Sequence, residues 1–136
     1  MTVASERYVG LDFGTLAVRA LVTGPRGETV ASATAAYRSG QIVRGEGDAA
    51  RFGGPLPAGW ALQDPADWLA AAGDAVRAAL AAGHVAPDAI AGLGLDFTSC
   101  TVLPARADGT PLARTELGAR PHAWPKLWKH HGAQRQ

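Results

Sequence analysis

Tyr8-Val9-Gly10-Leu11-Asp12-Phe13-Gly14-Thr15 is followed after one residue by Ala17-Val18-Arg19-Ala20-Leu21-Val22-Thr23. Past the turn residues Gly24-Pro25-Arg26-Gly27 comes a third run, Thr29 to Tyr37, that alternates small, apolar and polar side chains. Each run is short and bounded by glycine, the pattern of a β-strand. A parallel return needs a dozen or more residues, so runs this close in sequence pair as antiparallel neighbours. The spacing predicts a three-stranded antiparallel meander at the head of the chain.

Arg38 to Gln63 is irregular, with eight Gly or Pro residues between Gly40 and Gly59. It reads either as a functional loop or as a tolerated surface insertion. Next, Asp64 is an N-cap residue, Pro65 suits the first helical position and Asp67 places a carboxylate in the first turn. Trp68, Leu69, Ala72, Val76, Ala79 and Leu80 recur at three- and four-residue spacing, which predicts a helix whose apolar stripe covers one face of the sheet and which Gly83 ends. Ile90 to Leu95 reads as a buried strand ending at Asp96. A strand reached through a helix should lie parallel to a neighbour in the existing sheet. Thr101 to Pro104 is extended, Asp108-Gly109 marks a turn, and Pro121 to His131 allows a short helix after Pro125.

Composition narrows the function classes. The 136 residues make room for one domain, and 47% apolar against 18% charged residues is ordinary for a globular chain. Net charge is +1, so no overall field favours nucleic acid or an anionic membrane. The residues after Glu116 are an exception, carrying Arg120, Lys126, Lys129 and Arg135 with no acid. The single cysteine, Cys100, fits a reducing compartment, no apolar run is long enough to span a bilayer, and the first residues lack a secretory core. A cytoplasmic protein without nucleic-acid or membrane partners is expected.

Three segments could carry chemistry. Asp12-Phe13-Gly14-Thr15 sits where the first strand turns into the second. There a glycine turn can cradle phosphate oxygens with backbone N–H groups, a hydroxyl adds a donor, and a carboxylate can hold Mg²⁺ through water. Arg19 adds a fixed positive charge. The competing reading is an ordinary hairpin with Gly14 at positive φ. Asp96 to Thr101 gathers Thr98, Ser99, Cys100 and Thr101 beyond a strand end, where open α/β sheets bind ligands; those hydroxyls could equally cap backbone groups. Around Pro121 to His131, Trp124 and Trp128 stand beside basic groups, an arrangement suited to a polyhydroxylated ligand or to plain packing. His130 and His131 are adjacent and diverge on any helix, and no ligand set for zinc is complete. There is no Walker sequence and no Ser/His/Asp triad.

Taken in order, the motifs resemble one family. Gly10-Leu-Asp-Phe-Gly-Thr15 with Arg19-Ala-Leu-Val22 is similar to the first phosphate motif of the FGGY carbohydrate kinases, and Gln63-Asp-Pro-Ala-Asp-Trp68, Gly94-Leu-Asp-Phe-Thr-Ser-Cys-Thr101 and Pro121-His-Ala-Trp-Pro-Lys-Leu-Trp-Lys-His-His131 continue the resemblance. It implies an α/β, actin-like ATPase half-domain of ribonuclease-H-like topology, with a mixed sheet that opens in the meander. It further implies that residues 1–136 form the N-terminal domain of a truncated kinase whose C-terminal domain, with the adenosine pocket and the aspartate base, is absent. The implied cofactors are ATP and Mg²⁺, and the implied substrate is a ketopentose such as L-ribulose. Asp12 would lie at the metal; Asp12, Gly14, Thr15 and Arg19 would face the nucleotide; Thr98, Ser99 and Trp128, with Lys129 and His130 nearby, would contact sugar. The pattern departs at Leu16 and Ala17, which offer no hydroxyl where some relatives do. No catalytic residue is expected in the chain, which should be inactive alone, and its uncovered surface should drive self-association. Two other readings stand beside this one: a non-catalytic remnant that binds pentulose or phosphate, and a nucleic-acid adaptor using the basic tail.

Overall fold

A computed structural model describes residues 6–45 and 48–132. The chain divides into two compact units: residues up to Tyr37 together with Trp68–Phe97, and Arg38–Asp67 together with the residues from Thr98 onward.

The first unit is a four-stranded sheet with one helix. Strands β1 (Arg7–Phe13), β2 (Ala17–Thr23) and β3 (Thr29–Ala36) form the expected antiparallel meander. The turn before β3 is closed by the Gly27 amide donating to the Gly24 carbonyl at 3.0 Å, with Gly27 at φ +84°. After two short strands and a five-residue helix of the second unit, β4 (Ile42–Val43), α1 (Asp48–Phe52) and β5 (Ala61–Leu62), the long helix α2 spans Pro65–Ala82. Strand β6 (Ile90–Phe97) then returns parallel to β1, so the order is β3-β2-β1-β6.

Helix α2 begins as its sequence requires: the Asp64 carboxylate accepts the Ala66 amide at 2.9 Å. Asp67 is buried, and its Oδ2 accepts the Ser39 amide at 2.7 Å. The buried face differs from the expected stripe. Ala71, Ala75 and Ala79, four residues apart, pack against Val9, Leu11, Val18, Ala20 and Val22, flanked by Trp68, Ala72, Val76 and Leu80. Leu69 is 80% exposed. Alanine at the centre of the face lets the helix axis approach the sheet closely, so the bulkier side chains are displaced to its flanks.

Strand β6 is not the buried strand its composition suggests. Only Ile90 packs against the core, while Leu93, Leu95 and Phe97 are exposed. They stand in register with Val9, Leu11 and Phe13 and continue that row on the same face, but β6 is the sheet edge and among the described residues no element of this unit covers it.

The second unit has its own core of Leu56, Leu62, Ala113, Ala123 and Trp124. Residues 38–63 are therefore not a surface insertion: they supply β4, α1, β5 and two of those core residues. Among the described residues no helix follows Pro125. A 3-10 turn at Pro121–Ala123 leads into extended chain, with Trp124 at φ −94° and ψ 151°, because a residue before proline is pushed out of the helical region. Lys126 bridges both Leu62 and Val102. Among the described residues no helix is long and apolar enough to cross a membrane.

Candidate functional site

The β1–β2 turn is tighter than a phosphate cradle drawn from sequence. The Gly14 amide donates to the Ala17 carbonyl at 3.0 Å, so it is spent inside the turn. Nor does Gly14 adopt positive φ, the alternative reading of the motif. Glycine is needed for space: a Cβ there would lie 3.3 Å from the Ala17 carbonyl oxygen and 3.4 Å from Nη2 of Arg19. The guanidinium folds over the turn because Arg19 is the cross-strand partner of Asp12. Its Nε donates to Asp12 Oδ2 at 2.8 Å, and its Nη2 donates to the same oxygen.

Asp12 has a second neighbour in register, Asp96 on β6. The four residues Gly10-Leu11-Asp12-Phe13 and Gly94-Leu95-Asp96-Phe97 are identical and lie side by side at the ends of two parallel strands. A row Thr34–Arg19–Asp12–Asp96 thus crosses the sheet. All four line an open cavity of about 520 Å³ on the face away from α2. The paired glycines Gly10 and Gly94 keep its floor low, since a Cβ at either would touch nothing within 4 Å. Asp96 was not singled out as a site residue from sequence; the repeated tetrapeptide was the signal that could have found it.

The sugar-facing candidates belong to the second unit. Thr98 is half-buried, Ser99 is exposed, and Cys100 is held at φ +63°, a strained angle for a residue other than glycine. The Val102 amide donates to the Lys126 carbonyl at 3.1 Å and the Lys126 amide returns a bond at 3.0 Å, which brings the Thr98–Thr101 segment alongside Pro125–Trp128. Leu127 is buried, and Trp128 is 56% exposed in the turn that the His130 amide closes by donating to the Leu127 carbonyl at 2.9 Å. This segment is fixed by three amide donations, Gln63 to Pro125, Leu127 to Ala61 and His131 to Gly59.

Two of the basic side chains serve structure. Lys126 donates through Nζ to the carbonyls of Pro121, His122 and Trp124, and its burial lowers the ammonium pKa below the usual lysine range. His130 accepts the Ala61 amide on Nδ1 at 3.2 Å, and its ring meets Trp60 edge-on, centroids 4.8 Å apart. Trp60 also meets His122, with ring centroids 4.8 Å apart. Burial, with Lys126, His122 and His131 nearby, lowers the His130 pKa. Trp60 was missed from sequence, as a lone tryptophan in a glycine-rich run carries no periodic signal.

No protein-family model matches the chain. Similarity to whole proteins is extensive. The ribulokinase of Mycolicibacterium smegmatis is 44% identical over 138 residues, covering 98% of this chain and 24% of that protein. That of Geobacillus thermodenitrificans is 41% identical over 133 residues, covering 95% and 23%. Among solved structures, a xylulose kinase from Brucella ovis superposes with a TM-score of 0.69 at 26% identity, over 96% of this chain and 22% of that one. The chain resembles the FGGY carbohydrate kinases along nearly its whole length. Its fold is that of the actin-like ATPases, and a gluconate kinase from Lactobacillus acidophilus shares the fold at 17% identity with a TM-score of 0.57. The chain spans about a quarter of the length of the ribulokinases it matches.

FGGY kinases imply ATP and a divalent metal. The donor set of the first unit fits a hydrated cation: Asp12 and Asp96 offer hard carboxylate oxygens lining one open cavity. Among the described residues no three His, Cys, Asp or Glu gather into a cage, so a bound ion would keep most of its water.

Proposed function

We propose that this chain supplies the phosphate-gripping and sugar-facing surfaces of an ATP-dependent kinase that acts on a ketopentose such as L-ribulose. The observation that carries the reading is 44% identity to a ribulokinase over 98% of the chain. The row of Arg19 and Asp12 beside a closed glycine turn supports it, since phosphoryl transfer depends on positioning and charge neutralisation rather than on covalent chemistry by the protein.

In this reading Asp12 holds Mg²⁺ through water, and the ion when bound neutralises charge on the phosphates. Thr15 and Arg19 face the nucleotide phosphates. Gly14 contributes room, because its amide is already engaged. Trp128 lies against the C–H face of the sugar while Thr98 and Ser99 bond its hydroxyls. Lys129 lies next to Trp128, and His130 has only Nε2 to offer a ligand because Nδ1 is engaged. A second kinase domain provides the adenosine pocket and the base that deprotonates the sugar hydroxyl, so the chain on its own binds without turning over. It acts in the cytoplasm.

Isothermal titration tests this directly. L-Ribulose should give saturable heat with the wild-type chain and at least tenfold weaker binding with Trp128→Ala, a loss of about 1.4 kcal/mol. Absence of heat with both L-ribulose and Mg-ATP would sink the reading. Retention on DNA that collapses with added salt would instead favour a nucleic-acid role.

A further inference from the structure

In the Thr34–Arg19–Asp12–Asp96 row one cation stands beside two carboxylates. Arg19 directs Nε and Nη2 at a single oxygen, Asp12 Oδ2. That is the group a divalent cation would need. The pair is open to water, its side chains 61% and 41% exposed, so the contact is weak and exchangeable. The guanidinium also already lies over the β1–β2 turn, within van der Waals reach of the space above Gly14. A short swing would carry it from carboxylate to a phosphate held at that turn. A polyphosphate carries more charge than one carboxylate and suits the planar fork of arginine. Once the guanidinium leaves, Asp12 and Asp96 stand in register on adjacent strands without that counter-charge, only Asp96 Oδ1 being held by the Phe97 amide at 2.9 Å, and affinity for a divalent cation rises.

We propose that Arg19 is a built-in counter-ion that occupies the Asp12 carboxylate beside Asp96 until a phosphate anion draws it off, so that a divalent cation enters only together with its phosphate. This rests on the phosphate reading of the turn given above. It adds an order of events and a role for Asp96 to that reading.

The test uses the whole chain, with Mn²⁺ as a paramagnetic probe and inorganic tripolyphosphate as the anion, read by NMR. With Mn²⁺ alone, the Asp12 and Asp96 amide signals of Arg19→Gln should broaden at a concentration at least tenfold lower than in wild type. Adding tripolyphosphate should bring wild type to the level of the variant, and Asp12→Asn should abolish broadening in both conditions. In wild type the Arg19 Nε–H signal should shift as tripolyphosphate is added, which reads the swing without any substitution and covers a variant that does not fold. Equal broadening of wild type and Arg19→Gln by Mn²⁺ alone overturns the counter-ion. So does an Nε–H signal that stays fixed while the Thr15 and Leu16 amides respond to tripolyphosphate. If those amides do not respond either, the phosphate site itself is wrong and the counter-ion falls with it.

Discussion

His130 shows how one side chain can be read two ways until its partners are known. Its position beside Trp128 suggests a sugar contact, yet Nδ1 accepts the Ala61 amide and so holds residue 61 against the segment that carries Trp128. Acceptance requires an unprotonated Nδ1. Burial and the facing charges of Lys126, His122 and His131 lower the pKa in the folded state below that of the unfolded chain. A depressed folded pKa means stability that is complete above the ordinary histidine value of about 6.5 and is lost as pH falls through the folded value. Urea unfolding of the wild type should therefore weaken between pH 7 and pH 5. His130→Gln keeps an acceptor but does not titrate, and should lose less over the same interval; an equal loss would place the acid sensitivity elsewhere. Cys100 makes a related point, for its left-handed backbone in the candidate sugar loop leaves no trace in residue type.

Helix α2 ends differently from the usual glycine stop. Gly83 donates to Ala79 at 3.0 Å, His84 to Ala81 at 3.2 Å and Val85 to Leu80 at 2.9 Å, the pattern of a Schellman motif whose left-handed residue is His84, at φ +50°. Gly83 serves a different need: a Cβ there would meet Ala31 Cβ and Val30 Cγ1 at 3.1 Å, so those side chains would have to give way for the helix end to sit on β3. Two opposite outcomes follow. His84→Gly relieves the left-handed cost and should stabilise by about 0.5–1 kcal/mol, whereas Gly83→Ala should destabilise by about 1–3 kcal/mol, both read from denaturant midpoints. Along the same helix, Leu69→Lys should change stability by less than about 0.5 kcal/mol, and Ala75→Leu should cost about 1–3 kcal/mol by overfilling the seam with β1 and β2. These positions mark where sequence reading stops. The meander, the bounds of α2 and the parallel return of β6 depend on local spacing, turn residues and connection length, and all are legible. The choice of Ala71, Ala75 and Ala79 over Leu69 depends on how near the helix lies to the sheet. The turn-rich run at 38–63 finds its place through pairing of Leu62 with distant Lys126, which no local pattern encodes.

At the scale of the whole molecule, the candidate site was partly legible. Asp12, Gly14, Thr15 and Arg19 stand at one turn as their spacing requires. That Arg19 grips Asp12, and that Asp96 joins them, follows from strand register, and the exposure of β6 follows from which elements flank it. Leu93, Leu95 and Phe97 extend the row of buried Val9 and Leu11 and half-buried Phe13, but Phe97 is 69% exposed and β6 is the sheet edge. An exposed apolar row on an open strand edge is a template for another copy of the same chain. Each side chain of this kind is worth about 1.5–3 kcal/mol when fully buried, and a pair of chains would cover both rows at once. Association loses about 4–15 kcal/mol of freedom, which keeps such a contact weak. Sedimentation velocity across roughly 10–500 µM, the range in which a weak dimer declares itself, should show a mass that rises with concentration. Leu95→Lys with Phe97→Lys should abolish the rise by putting like charges on both edges, while Leu69→Lys, more exposed than either but on the helix, should not. A wild-type chain that stays monomeric throughout would show that the row tolerates water, and the expected self-association would be lost with it.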